Sequence, residues 1–249
     1  MLLILSVAIW YIPGLWSGEV SQEDAECLKR TFAAEEVVCK SWCSPGTAWP
    51  EAVAGADAFA DKIFDELRQM DAVRRSGIVL VGHSLGARVV SKAVARLAGD
   101  GLTVSNSVLL GSAMSSDVGL LKQMLPGCSD RPIVVSCDDD VVLKYIYPLA
   151  VGDCVPPMGR CTGAGIGAGV IEYVMPEDFA WQYNLLFPSH NSSAYIRYLE
   201  KSVHGDNACN QRRTCRFGFE FKKLFDACAD GAVNAASAVT NIFCNSVWR

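Results

Sequence analysis

Histidine is scarce in this chain, with three among 249 residues, at positions 83, 190 and 204. None of the eleven cysteines forms a CxxC pair. Together these shortages argue against a zinc site built from paired Cys and His ligands, and no metal or organic cofactor is expected. Positive charge is also short. With 22 Lys and Arg against 27 Asp and Glu the net charge is −5, so no general field attracts polyanions and nucleic acid is not an expected partner. The apolar run Leu2–Tyr11 is too short to span a bilayer as a helix, which takes about 20 residues, so membrane association is not indicated. No Lys or Arg precedes that run and no small-x-small cleavage pattern follows it, which argues against an export signal. It reads as a buried strand, Leu3–Tyr11, entering a Pro13-Gly14 turn. A signal is the alternative, because such a strand has the same composition.

What is present is a compact globular composition, 51% hydrophobic and 20% charged, which excludes a disordered chain. The length suits one large α/β domain, or one with a modest appendage. The cysteines, at 27, 39, 43, 128, 137, 154, 161, 209, 215, 228 and 244, read first as reduced thiols behaving as small apolar residues, which places the chain in the cytoplasm. A secreted protein with several disulfides is the rival reading, and the Cys154/Cys161 and Cys209/Cys215 pairs are its best support.

Two kinds of segment alternate along the chain. Strands are expected at Leu3–Tyr11, Glu36–Trp42, Ile78–Val81, Leu102–Leu110, Pro132–Ser136 and Val170–Met175. Helices are expected at Gln22–Ala34, Trp49–Met70, Ala87–Ala98, Leu120–Leu125 and Ser192–Lys201, with a helix-like turn over Lys144–Tyr147. In the second of these, Val53, Ala56, Phe59, Ile63 and Leu67 recur three and four apart, one face of an amphipathic helix. Ile78-Val-Leu-Val81 is apolar throughout, as a central strand covered on both faces must be. Strand alternating with helix predicts an α/β fold: a mostly parallel central sheet with helices on both faces. Residues 1–204 would form that domain. Residues 205–249 open on a basic patch, Gln211–Arg216, and end in a small-residue segment of helical character, Phe221–Val247. They are expected to be a C-terminal helical extension packed on the domain. The Gly163–Gly169 run (GAGIGAG) precedes a strand instead of following one, the wrong context for a dinucleotide loop, so it reads as a turn.

One motif carries chemistry. In Ile78-Val-Leu-Val-Gly-His-Ser-Leu-Gly-Ala-Arg-Val-Val90, an apolar strand runs into Gly82-His83-Ser84-Leu85-Gly86 and then into a helix. A nucleophilic serine must project from a sharp turn at the strand's carboxyl end, and glycines on either side leave room where side chains would collide. The following helix aims its N-terminal dipole, and the Leu85 N–H, at an oxyanion developing beside Ser84.

With this elbow, the sequence resembles the α/β-hydrolase superfamily, and more narrowly its lipase- and esterase-like members carrying GHSLG. The resemblance covers about residues 1–203. It implies a serine hydrolase whose triad runs nucleophile, acid, histidine along the chain, with Ser84 as nucleophile. Pro13-Gly14-Leu15-Trp16 stands where the family has its oxyanion loop, though a proline replaces the usual histidine. Leu15 N–H is the expected second donor, with Trp16 next. The family's acid follows the strand two after the elbow, which is Cys137-Asp138-Asp139-Asp140 here. Asp140 is favoured, then Asp139, then Asp138, since three adjacent carboxylates cannot all be buried around one imidazole. The family's base follows the last strand, where Pro188-Ser-His-Asn191 supplies His190. His83 belongs to the elbow, and His204 lies a helix further on.

The resemblance thus implies cleavage of a small-molecule or lipid ester through an acyl-enzyme. Trp16, Trp42 and Trp49 are candidates to line an apolar acyl site, or else to pack in the core. An acyltransferase or thioesterase using the same triad is the alternative, as is a non-catalytic binding protein on the same fold. The sequence carries no indication of oligomeric state.

Overall fold

The computed structural model describes residues 6–15, 17–42, 47–115, 118–151, 157–160, 169–180 and 190–205. Six strands form one all-parallel sheet: β1 (Ala8–Ile12), β2 (Glu36–Cys39), β3 (Ile78–His83), β4 (Asn106–Leu110), β5 (Ile133–Ser136) and β6 (Ile171–Val174), in the order β2-β1-β3-β4-β5-β6. The connecting helices are α1 (Gln22–Phe32), α2 (Trp49–Gln69), α3 (Ala72–Ser76), α4 (Leu85–Gly99), α5 (Val118–Met124), α6 (Tyr147–Val151), α7 (Glu177–Ala180) and α8 (Ser192–Val203). This is the expected fold class. No helix among the described residues is long and apolar enough to cross a membrane. The expected extension over 206–249 and the turn at 163–168 lie outside the described residues.

Alternation along the strands builds two cores. Ala8, Trp10 and Ile12 of β1 join Ile78 and Leu80 of β3 on one face, under Ala56, Ala60, Ile63 and Leu67 of α2 and the buried side of α4. Ile9, Tyr11, Val79, Val81, Leu110 and Val135 point to the other face. There they meet Cys27 and Leu28 of α1 and Ala194, Tyr195, Ile196 and Leu199 of α8. Central strands buried on both sides must be apolar at every position, and each fully buried leucine such as Leu80 contributes about 1.5–3 kcal/mol over an exposed one.

Several boundaries differ from expectation for local reasons. Among the described residues the first strand begins at Ala8, after Ser6 and Val7; Leu3–Leu5 of the expected strand lie outside them. β3 runs two residues past Val81, because Gly82 and His83 still pair with Leu109 and Leu110. β4 starts four residues late: Leu102 is taken up by the end of α4, its N–H bonding Leu97 O at 2.8 Å. That closure follows Gly101, whose φ of +69° suits a glycine ending a helix. β2 stops at Cys39, and Trp42 turns inward instead, its indole N–H donating to Pro13 O at 2.8 Å. The helices α3 and α7 have no counterpart in the sequence pattern; each is a single short turn with too few positions for a periodicity.

The order of the strands singles out one place. From β1 the chain crosses to β2 on one side, and from β3 it crosses to β4 on the other. Between the carboxyl ends of β1 and β3 the two connections therefore part, and at such a switch point parallel sheets characteristically hold ligands. The Pro13-Gly14-Leu15 loop and the turn at Ser84 border it.

Candidate active site

Ser84 occupies the single residue between β3 and α4, with φ +54° and ψ −121°. A serine in this left-handed region is strained by about 1–3 kcal/mol. The turn can form only because Gly82 and Gly86 have no side chains. A Cβ on Gly82 would lie 2.5 Å from Gly86 O, and one on Gly86 would collide with Ile12 O. The strained peptide is tied to its neighbour strand: Ser84 N–H donates to Leu110 O at 2.9 Å, and Ser84 O accepts from Ala113 N at 3.2 Å. Gly14 backs directly onto the serine, since a Cβ there would sit 2.7 Å from Ser84 Cβ.

His190, immediately before the Asn191 cap of α8, reaches this serine. Its Nε2 stands 2.9 Å from Ser84 Oγ, and its Nδ1 stands 2.7 Å from Asp140 Oδ2. The carboxylate accepts the Nδ1 proton, which leaves the Nε2 lone pair facing the serine hydroxyl. Asp140 is fully buried yet well supplied with donors. Oδ1 accepts the backbone N–H groups of Val142 and Leu143, each at 3.0 Å, and Oδ2 accepts the Tyr195 hydroxyl at 2.7 Å in addition to His190. The two amides open a π-helical turn over Val142–Ile146.

Of the three adjacent aspartates, the structure brings only Asp140 to the histidine. Asp138 and Asp139 are exposed; Asp139 pairs with Lys144 at 3.3 Å. The chain leaves β5, turns at Asp138-Asp139 in solvent and re-enters at Asp140, so one carboxylate alone is desolvated. His204 closes the far end of α8, its N–H bonded to Glu200 O at 3.1 Å, and is exposed.

His83 is buried beneath the turn, its ring centroid 5.0 Å from that of His190 and 5.8 Å from that of Tyr195. Neither ring nitrogen finds a hydrogen-bond partner among the described residues. Burial first, and the neighbouring His190 second, hold its pKa well below the ordinary value. The folded protein therefore refuses a proton that the unfolded chain accepts below about pH 6.5, and stability should decline with falling pH by about 1.4 kcal/mol per unit until the folded pKa is reached. Denaturant titrations of wild type and His83→Leu at about pH 6 and about pH 5 isolate this effect, because other groups cancel in the comparison. Wild type should lose more than the variant, by at most about 1.4 kcal/mol; equal losses would mean that the folded protein protonates the ring.

Leu85 opens α4, so its N–H is one of those with no partner inside the helix. Leu15 lies on the Gly14 loop, half-buried; Trp16, the next expected donor, lies outside the described residues. Leu85, Ala52, Ala113, Leu143 and Tyr147 form a small apolar cluster against which Leu15, Trp42, Trp49 and Val53 pack. Trp49 meets Tyr147 edge-on at 5.8 Å, and Trp42 stacks on Phe59 at 6.5 Å. Trp42 thus serves the core and braces the Pro13 carbonyl, while Trp49 faces the cluster beside Ser84.

Cys27, Cys39 and Cys128 are thiols. Burial, with Glu200 beside it, pushes Cys27 up to about 12, so it is no rival nucleophile. The Cys154/Cys161 and Cys209/Cys215 pairs lie outside the described residues. No group of three His, Cys, Asp or Glu among the described residues is placed to hold a metal ion.

Sequence reasoning does not single out Tyr195. Ala194, Tyr195, Ile196 and Leu199 have the spacing of a core face, and only the hydroxyl, which needs a partner when buried, distinguishes it.

A protein-family profile described as "Protein of unknown function (DUF726)" matches residues 46–155, a span that includes Ser84 and Asp140 but not His190. No curated protein matches. Among solved structures, the chain is similar to an esterase from Pyrobaculum calidifontis, at 17% identity over 80% of this chain and 77% of that one, with a TM-score of 0.42. It is similar also to Est1E from Butyrivibrio proteoclasticus, at 12% identity over 80% and 85%, TM-score 0.43. A third is the RedJ thioesterase of Streptomyces coelicolor, at 16% identity over 80% and 89%, TM-score 0.41. The fold itself is carried by the chain's own topology. Six parallel strands in the order β2-β1-β3-β4-β5-β6, helices on both faces and a strained strand-turn-helix after β3 make this an α/β-hydrolase fold.

Proposed function

We propose that the protein is a serine hydrolase that cleaves carboxylic esters through an acyl-enzyme, with Ser84 as nucleophile, His190 as general base and Asp140 as its acid partner. The observation that carries the reading is the unbroken hydrogen-bonded line from Ser84 Oγ through His190 to Asp140, at the carboxyl edge of the sheet. His190 Nε2 takes the Ser84 proton as Oγ bonds to the acyl carbon, and the carbonyl oxygen becomes the oxyanion. Leu85 N–H and Leu15 N–H are the proposed donors to it. As the tetrahedral intermediate collapses, His190 returns that proton to the leaving alcohol oxygen. Water then attacks the acyl carbon, His190 accepts its proton, and Ser84 recovers that proton as the carboxylic acid leaves.

The apolar cluster beside Leu85 favours an ester with an apolar acyl group, small-molecule or lipid, with Trp49, Leu143 and Tyr147 against it. The test is labelling with a fluorophosphonate, followed by a panel of short- to long-chain p-nitrophenyl esters and the matching thioesters. Wild type should label at one serine and prefer esters; faster thioester cleavage would shift the reading to a thioesterase, and no labelling would support a binding protein. Asp140→Asn should slow both labelling and turnover by about 10⁴-fold, whereas Asp138→Asn and Asp139→Asn should leave them near wild type. A large loss at Asp139 instead would move the acid there.

A further inference from the structure

Resting on the serine-hydrolase reading above, we propose that Tyr195 is a positioning residue of the triad: its hydroxyl holds the same Asp140 oxygen that orients His190, and so aligns the imidazole with Ser84. The carboxylate has two ends. Oδ1 is fixed by the Val142 and Leu143 amides, but a carboxylate held at one oxygen can still pivot about it and swing the other. Tyr195 stops that swing, donating to Oδ2 at 2.7 Å, the same separation as from His190 Nδ1.

The donor is itself rigid. Tyr195 is fully buried, and its ring lies flush against Gly111, where a Cβ would come within 2.7 Å of the ring carbons. Gly111 has φ +48°, so the β4 end both turns sharply and leaves the ring its place. Burial first, and Asp140 next, hold the phenol pKa well above 10, so the hydroxyl remains a proton donor. His190 and Tyr195 bracket the first turn of one helix. That turn is tied down by the Asn191 cap, which accepts from Ser193 N–H at 2.8 Å, and by Ser193 Oγ, which donates to the buried Asp24 at 2.6 Å. Base and aligning hydroxyl therefore move as one body, and the acid is referred to both. No packing role needs the oxygen; a phenylalanine would fill the same space.

Two opposing effects follow from removing it. Asp140 Oδ2, no longer shared, becomes a stronger acceptor for His190 Nδ1–H, while the carboxylate gains freedom to misalign. Misplacement of a catalytic group by even about 1 Å costs on the order of 10²-fold in rate, so misalignment outweighs the stronger bond. In Tyr195→Phe, kcat for the best p-nitrophenyl ester should fall about 10- to 100-fold with KM little changed. The His190 Nδ1–H proton resonance should move downfield, reporting the strengthened bond to Asp140. Tyr198→Phe, on the same helix but bonded to Val174 O, should change neither.

Unchanged kcat, or a loss confined to KM, overturns the proposal. So does a fall in kcat that accompanies lost thermal stability with the resonance unmoved, which would make Tyr195 a packing residue. If wild type neither hydrolyses esters nor takes up fluorophosphonate, the serine-hydrolase reading fails. The resonance of wild type against Tyr195→Phe would still report whether the hydroxyl orients the Asp140–His190 pair.

Discussion

Ser84→Ala should lower kcat for ester hydrolysis by on the order of 10⁶-fold, the loss seen when the nucleophile of a serine triad is removed. It should also abolish fluorophosphonate labelling. The protein should remain folded. The hydroxyl's bond is to His190 Nε2 alone among those described, while the turn is held by backbone bonds to Leu110 and Ala113 that alanine keeps. An alanine at φ +54° is no more strained than a serine. Denaturant midpoints and intact-mass labelling of both proteins check this together. Labelling that survives at another serine would remove Ser84 from the mechanism.

His190→Ala should be comparably severe, about 10⁶-fold, because nucleophile and base act as a unit and loss of either leaves only binding and oxyanion stabilisation. The imidazole is 11% exposed, so its loss opens a small space bordering solvent. Added imidazole should recover part of the activity in His190→Ala and none in Ser84→Ala. His204→Ala is the control. α8 separates the two histidines by a rise of about 18 Å for its twelve residues, and His204 ends exposed. Wild-type rates for His190→Ala, or a large loss for His204→Ala, would reassign the base.

The parts legible in the sequence are those where backbone geometry leaves no choice of residue. Gly82 and Gly86 must lack a Cβ, and Ile78–Val81 must be apolar on both faces, so strand, turn and helix can be read without a structure. The proposed acid is legible only to three neighbouring positions. Which carboxylate turns inward depends on how the chain leaves β5 and where the π-helical turn begins, neither of which Asp138-Asp139-Asp140 encodes locally. Tyr195 is illegible for a different reason. Its spacing on α8 is that of a core residue, and its partner is 55 positions away. The early boundary expected for β4 fails because Leu102 and Val104, apolar and strand-like, close the end of α4 and bridge to Cys128 instead.

The chain order of the site has a consequence for synthesis. A nascent chain made as far as Met175 holds the six described strands, the strained Ser84 and Asp140, yet not His190. The sheet face carrying Tyr11, Val81, Leu110 and Val135 is then covered by α1 but still lacks Tyr195, Ile196 and Leu199. The docking that buries that face is the same event that brings His190 to Ser84 and Tyr195 to Asp140. On the proposed mechanism, assembly of the triad is thus timed to the completion of the core: an intermediate with α8 undocked would expose this apolar face and lack the proposed base.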